Sequence, residues 1–254
     1  LRGAMHAGAN QYRLAELGAT PDSVAARGKL WWKQTLETAL SQQRIRLFGQ
    51  RVAGSTPQSE SLHIELFARV QTEDDQLVPA GIFIPQAERS SLMVDLDRQV
   101  VALALGLNGR GRDLPRAINL SINSVRSAPF SSWLDLQLSS RRADMAMLHF
   151  EFSEFYAVQY LDEIGAFGQR VKALGHRFGL DHFGKSFSNF AYLKSLRPDY
   201  VKIDAAFTRA LESEHSDAYF FIGSLCSVAH SLDIKVIAEG VEDQRRYDML
   251  QELH

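Results

Sequence analysis

Residues 179–204, GLDHFGKSFSNFAYLKSLRPDYVKID, constrain this chain more than any other stretch, because they read as strand, helix and strand with two polar strand ends. A short run from His176 to Leu180 leads to Asp181 and a turn at Gly184. A helical segment follows, and Pro198 opens a second strand, Tyr200-Val201-Lys202-Ile203-Asp204. This is the pattern of a βαβ crossover, in which the two strands lie parallel. Side chains alternate along a strand, so Val201 and Ile203 share one face while Tyr200, Lys202 and Asp204 share the other. Parallel strands are ordinarily apolar on both faces, so a lysine and an aspartate on one of them need a reason.

The remaining chain repeats the alternation. Strands are predicted at Ile45–Val52, Leu62–Val70, Ala117–Ile122, Leu148–Phe152, His176–Asp181, Tyr200–Asp204 and Ile234–Ala238. Helices are predicted over 27–42, 86–105, 160–174 and 218–231, and only the first two strands lack a helix between them. Strand–helix alternation over 254 residues predicts an α/β fold, and a (β/α)8 barrel of the TIM type suits the length. A dinucleotide-binding sheet is disfavoured, since the chain has no Gly-rich strand-to-helix turn. Seven strands are visible, so the eighth is expected beyond His254. Residues 1–16 read as the tail of a preceding domain, 17–42 as a linker and connecting helix, and 43–254 as the barrel. The helix over 27–42 carries Trp31 and Trp32, which cannot face the same way.

Composition narrows the function. A formal net charge of −2 gives no electrostatic case for a nucleic-acid duplex, so phosphate recognition must be local. The single cysteine, Cys226, cannot form an intrachain disulfide, which suits a reducing compartment. No stretch approaches ~18 consecutive apolar residues, and no signal-peptide pattern opens the chain.

The alternation test then finds candidates for chemistry. Glu65 and Arg69 lie opposite Ile64, Leu66 and Val70; Asn119 lies opposite Ile118 and Leu120; His149 and Glu151 lie opposite Phe150 and Phe152. Asp181, Lys202, Asp204 and Glu239 sit at or just past their own strand ends. Barrel interiors are normally filled by branched apolar residues, so a polar ring marks the C-terminal mouth as a site. Glu65, Glu151, Asp181, Glu239 and Asn119 are all hard oxygen donors. Converging carboxylates repel, and divalent cations resolve that conflict; oxygen donors favour Mg²⁺, Mn²⁺ or Ca²⁺ over Zn²⁺. Lys202 and Arg69 then fit an anionic substrate such as a phosphoester. Singly, any of these glutamates could instead be an internal ion-pair partner of Arg69 or Lys202. A glycosidase reading is also open, with Glu151 and Glu239 as the carboxylate pair, but it leaves Asp181 and Lys202 without a role. His63 and His149, one layer deeper, read as core histidines.

From about Gln42 to His254 the sequence resembles the EAL domains, the bacterial cyclic di-GMP phosphodiesterase family. Glu65-Leu66-Phe67 stands at the E-A-L signature, followed by Arg69, Phe83-Ile84-Pro85, Asn119-Leu120-Ser121, Glu151 to Glu154, Asp181 to Gly184, Lys202-Ile203-Asp204 and Ala238-Glu239-Gly240-Val241-Glu242. Residues 1–14 resemble the tail of a GGDEF domain. The resemblance implies that Glu65, Asn119, Glu151 and Asp181 hold a metal. It implies that Lys202 and Glu239 serve the attacking water and a second metal, giving Glu65, Lys202 and Glu239 catalytic roles. Gln50, Glu65, Leu66, Arg69, Asn119, Asp181 and Lys202 would line the dinucleotide.

Active members read D-D-F-G-T-G where this chain reads Asp181-His182-Phe183-Gly184-Lys185-Ser186. His182 therefore stands at the second-metal position, which resembles the LapD-like branch of GGDEF-EAL proteins. The resemblance implies a cyclic di-GMP-binding signalling domain, a degenerate receptor with little or no hydrolysis. The alternative is an active Mg²⁺- or Mn²⁺-dependent phosphodiesterase making the linear dinucleotide pGpG; nucleotide binding itself needs no metal. A scaffold that binds no nucleotide is a third possibility. Expected partners are cyclic di-GMP, the chain's own GGDEF-like domain, and a homodimer mate or another protein. The expected location is cytoplasmic, with membership in a membrane-anchored protein left open.

Overall fold

The computed structural model describes residues 27–54, 61–107, 114–139, 147–186 and 190–253. The expected tail over 1–16 and the linker up to residue 26 lie outside the described residues. The chain divides into two compact units, one centred on 60–134 with the residues up to 53, the other on 147–254.

The first unit holds α1 (Lys29–Ser41), β1 (Ile45–Val52), β2 (His63–Gln71), β3 (Leu77–Pro79), α2 (Ala80–Arg89), α3 (Met93–Gly106), β4 (Arg116–Asn119) and α4 (Ile122–Val125). Helix α5 (Ala128–Ser139) begins in it. Strand β1 runs antiparallel to β2, with Gln50 opposite Glu65. The connection between them is too short for the crossover that parallel strands need. Strand β4 lies parallel to β2 and sets Ala117 beside Glu65. Trp32 is fully buried while Trp31 is half-buried, with the Arg27 guanidinium 5.4 Å from its ring; the two indoles differ in burial but meet edge to face, their centres 5.0 Å apart.

Three elements differ from the sequence reading. The helix expected over 86–105 is two helices, broken where Ser91 takes a left-handed φ of 58°. The three residues of β3, antiparallel on β2, are too few to show a period. The strand expected to reach Ile122 stops at Asn119, because Ser121 turns out of it to cap α4 with its side chain. Buried Arg116 fastens the start of β4 by donating to the carbonyls of Ala104 and Leu107, which the end of α3 leaves without helical partners.

The second unit is a run of parallel strands. It holds β5 (Leu148–Ser153), α6 (Glu154–Gln159), α7 (Leu161–Ala173), β6 (Arg177–Phe183), α8 (Ala191–Leu196), β7 (Tyr200–Ile203), α9 (Ala205–Arg209), α10 (Asp217–His230), β8 (Lys235–Ala238) and α11 (Gln244–Glu252). The strands pair in sequence order, β5 to β6 to β7 to β8. Phe167 of α7 meets Phe150 and Phe152 of β5 edge-on at 5.4 and 5.3 Å, joining helix to sheet. The β6–β7 register shifts between Leu180 and Phe183, so Asp181 and His182 sit on an irregular strand end. Cys226 is a buried thiol, and no described helix is long and apolar enough to cross a membrane.

Gly179 links this packing to the site. It lies between Glu151 and Tyr200 in register, and a Cβ there would come within 2.4 Å of the Tyr200 ring. The ring occupies that space, and its hydroxyl donates to Glu151 Oε1 at 2.7 Å. Gly179→Ala should therefore destabilise the protein by about 1–3 kcal/mol in urea unfolding. An unchanged midpoint would show that Tyr200 moves aside freely.

Candidate functional site

The second unit gathers its polar groups around one ammonium. Lys202 Nζ lies 2.8 Å from Glu239 Oε1, 3.2 Å from Glu151 Oε2 and 3.9 Å from Asp181 Oδ1. Lys202 is 1% exposed and Glu151 fully buried. The geometry follows from sheet order, since β5, β6, β7 and the residue after β8 each contribute one group. Glu239 is held by its own backbone. Its N–H donates to Ile203, its carbonyl accepts from Thr208, and Gly240 turns away at φ +67°. Three carboxylates thus surround this one buried ammonium.

The irregular end of β6 adds a second network. Asp181 Oδ1 accepts the His182 backbone N–H at 2.7 Å, and His182 stands at φ 58°. Its ring Nδ1 lies 2.7 Å from Asp204 Oδ2, and Lys185 Nζ lies 2.8 Å from the same oxygen. Asp204 Oδ1 caps α9 through the Ala206 N–H. Burial would raise the Asp204 carboxyl, but Lys185, the Ala206 amide and His182 outweigh it and hold the group below its ordinary value. One ligand atom each from Asp181, His182 and Glu239 lies within 4.8 Å of the others. Two carboxylates and an imidazole fit one divalent cation, and Asp204 fixes the ring as an outer carboxylate does in metal sites.

Glu154, the first residue of α6, ties the turn after β6. It accepts the Ser186 N–H at 2.8 Å and the Tyr192 hydroxyl. Burial and this carboxylate push the Tyr192 hydroxyl far above its ordinary value, so it stays a donor.

In the first unit, Glu65 and Leu66 are buried and Gln50 is exposed in the facing register position. The Arg69 guanidinium lies 5.2 Å from the centre of the Phe48 ring. Asn119 is exposed at the end of a strand whose other three residues are buried. Two residues on, Ser121 and Ser124 are held by Asp97 of α3. Its Oδ2 accepts the Ser121 N–H at 3.0 Å, the Ser121 hydroxyl at 2.6 Å and the Ser124 hydroxyl at 2.7 Å. Desolvation still raises the Asp97 carboxyl from 3.8 to about 6, the three hydrogen bonds opposing it only in part.

Of the residues expected in the site, the structure brings Glu151, Asp181, His182, Lys202 and Glu239 together. Glu65, Leu66, Arg69, Gln50 and Asn119 lie on neighbouring strands of the first unit. His63 and His149 are buried. Sequence reasoning gave no role to Asp97, Glu154, Lys185, Tyr192, Tyr200 or Thr208. A signal existed for Asp97, a charged residue on a helix face that otherwise buries Met93, Leu96, Val100, Val101 and Ala104.

Parallel strands with helices between them, and acidic groups around a lysine at the strand ends, define an α/β domain with a candidate site at those ends. The chain belongs to the EAL domain family, whose model matches residues 33–254. The barrel of the EAL type expected from the sequence is thus its fold, with no strand after β8 among the described residues. Over 224 residues it is 30% identical to the cyclic di-GMP phosphodiesterase PdeB of Shewanella oneidensis, covering 87% of this chain and 26% of that protein. It is 27% identical over 238 residues to the cyclic di-GMP phosphodiesterase PdeF of Escherichia coli, covering 88% and 31%. The Vibrio cholerae LapD S helix-GGDEF-EAL structure bound to c-di-GMP superposes with a TM-score of 0.78 at 28% identity, over 89% of this chain and 55% of that one. The chain thus spans about a third or less of the two curated relatives.

Removing Lys202 while leaving its carboxylates should be severe. Lys202→Met is expected to lose about 3–5 kcal/mol at neutral pH, read by chemical denaturation. A loss below about 1 kcal/mol would mean that water reaches the cluster freely.

Asp97 gives a pH signature. Its carboxyl is raised in the folded state, so its stabilising contribution is fully present below pH ~4 and is lost as pH rises through about 6. Relative to Asp97→Asn, the parent should lose about 3 kcal/mol of stability between those values. A pH-independent difference would show that the carboxyl is solvated.

Proposed function

We propose that this chain is a cyclic di-GMP-binding signalling domain, a degenerate receptor that hydrolyses the nucleotide weakly or not at all. The observation that carries the reading is His182. Its Nδ1 is engaged with Asp204, so one imidazole nitrogen stands beside Asp181 where the active pattern has a second carboxylate. An imidazole supplies no negative charge and suits hard cations such as Mg²⁺ poorly, so a second cation would be loosely held. The similarity to a LapD structure carrying c-di-GMP supports nucleotide binding, and the similarity to PdeB and PdeF supports the substrate class.

Each unit has its part in this reading. Gln50, Leu66, Arg69 and Asn119 offer an amide, an apolar contact, a guanidinium and a second amide to base and phosphate. In the second unit Asp181, His182 and Glu239 would hold a divalent cation only loosely, Mn²⁺ better than Mg²⁺, with Glu65, Asn119, Glu151 and Asp181 assigned to the first metal by resemblance. Such a cation supplies Lewis acidity toward a phosphoryl oxygen and a more acidic bound water. Lys202 orients Glu151 and Glu239 and keeps their charge in place. A GGDEF-like neighbour, a homodimer or protein partner, and a cytoplasmic position in a membrane-anchored protein belong to the same proposal.

The grouping of Asp181, His182 and Glu239 favours the second reading, a working phosphodiesterase producing pGpG. A time course of cyclic di-GMP cleavage with Mn²⁺, resolved by chromatography, separates the two. The receptor reading expects a nearly silent parent that binds nucleotide in excess chelator, and at least a ~10-fold faster His182→Asp variant. Parent turnover equal to that of the variant would make the domain an enzyme.

A further inference from the structure

Asp97 is an expensive residue for its place. It lies in the middle of α3, 4% exposed, on a face that otherwise buries apolar side chains. A leucine there would avoid burying a carboxylate. What the carboxylate supplies instead is direction. Three donors from the chain just past β4 converge on its Oδ2: the Ser121 amide, the Ser121 hydroxyl and the Ser124 hydroxyl. The Ser121 hydroxyl also accepts the Ser124 N–H, which closes the first turn of α4. Ser121 is thereby held through both its backbone and its side chain in an extended conformation, φ −78° and ψ 150°. Asn119, two residues earlier, is the only exposed residue of β4, and Arg116 pins the strand's other end. With both ends tied to α3, β4 has little freedom to swing, so the backbone that carries Asn119 is held in place.

We propose that Asp97 is a positioning residue for Asn119, fixing the carboxamide in the orientation that ligand binding uses. The assignment rests on the reading of Asn119 as a ligand to nucleotide or metal given above. Asp97 touches neither; it acts through Ser121 and Ser124. The α3–β4–α4 junction is then a jig, in which stability is given up for aim.

The test uses the full chain with Asp97→Leu, Asp97→Asn, Ser124→Ala and Asn119→Ala, alone and combined, and two readouts. Cyclic di-GMP affinity should fall ~10-fold in Asp97→Leu. It should return to within ~3-fold of the parent in Asp97→Asn, which keeps an acceptor oxygen. In the Asn119→Ala background, Asp97→Leu should have no further effect, since the two act as one unit. The second readout is the order of the Asn119 side-chain amide by heteronuclear NOE. It should drop in Asp97→Leu and be restored in Asp97→Asn. Should Asp97→Leu fail to fold, Ser124→Ala removes one of the three bonds and should move both readouts the same way by a smaller amount.

Unchanged affinity in Asp97→Leu, or an equal loss with and without Asn119, would overturn the proposal. A parent that binds no cyclic di-GMP would instead sink the functional reading, and the NOE arm alone would then decide. An Asn119 amide equally ordered in the parent and Asp97→Leu would end the positioning role.

Discussion

The buried ammonium of Lys202 is the interaction on which the second unit's polar interior depends. Three carboxylates from β5, the end of β6 and the residue after β8 lie within 3.9 Å of it. Its charge offsets the cost of setting buried Glu151 and Asp181 near Glu239, where repulsion and desolvation act in the same direction. Strand pairing is coupled to the cluster as well. A one-residue slip of β7 would turn Lys202 to the opposite face and replace it with Val201 or Ile203. The register that buries Val201 and Ile203 on one face of β7 is therefore the register that brings Lys202 to Glu151 on the other.

Within each unit, hydrogen bonds from carboxylates fix backbone. Asp204 caps α9 while holding His182 and Lys185; Glu154 opens α6 while holding Ser186 and Tyr192; Asp97 holds Ser121 and Ser124. In each case an anchored carboxylate controls the turn leaving a strand end, where loops carry function. The environments differ in one respect. Asp204 has a lysine and lies below its ordinary value, whereas Asp97 has only neutral donors and lies above it.

Much of this was legible in the chain. The βαβ unit over 179–204, the remaining long strands and the polar residues at their ends follow from periodicity, which depends on neighbouring residues alone. Glu151, Asp181, Lys202 and Glu239 were therefore nameable before any coordinates. The boundaries failed where a distant group intervened. The strand expected to reach Ile122 ends at Asn119 because Asp97, 24 residues from Ser121, accepts its N–H. The break at Ser91 rests on a left-handed residue that no alternation reveals. Strand β3 is held by pairing to β2, not by its own three residues.

The sequence by itself determined the fold class, the strand order and which strand ends carry charge, because those are encoded in spacing and residue type. Only the tertiary structure decided what each charge does. Lys202 could have met one carboxylate or several, and sheet register made it three. His182 could have had any partner or none, and the shifted end of β6 set its half-exposed ring against Asp204. A side chain's partners lie on other strands, at distances set by packing, and no local pattern along the chain contains them.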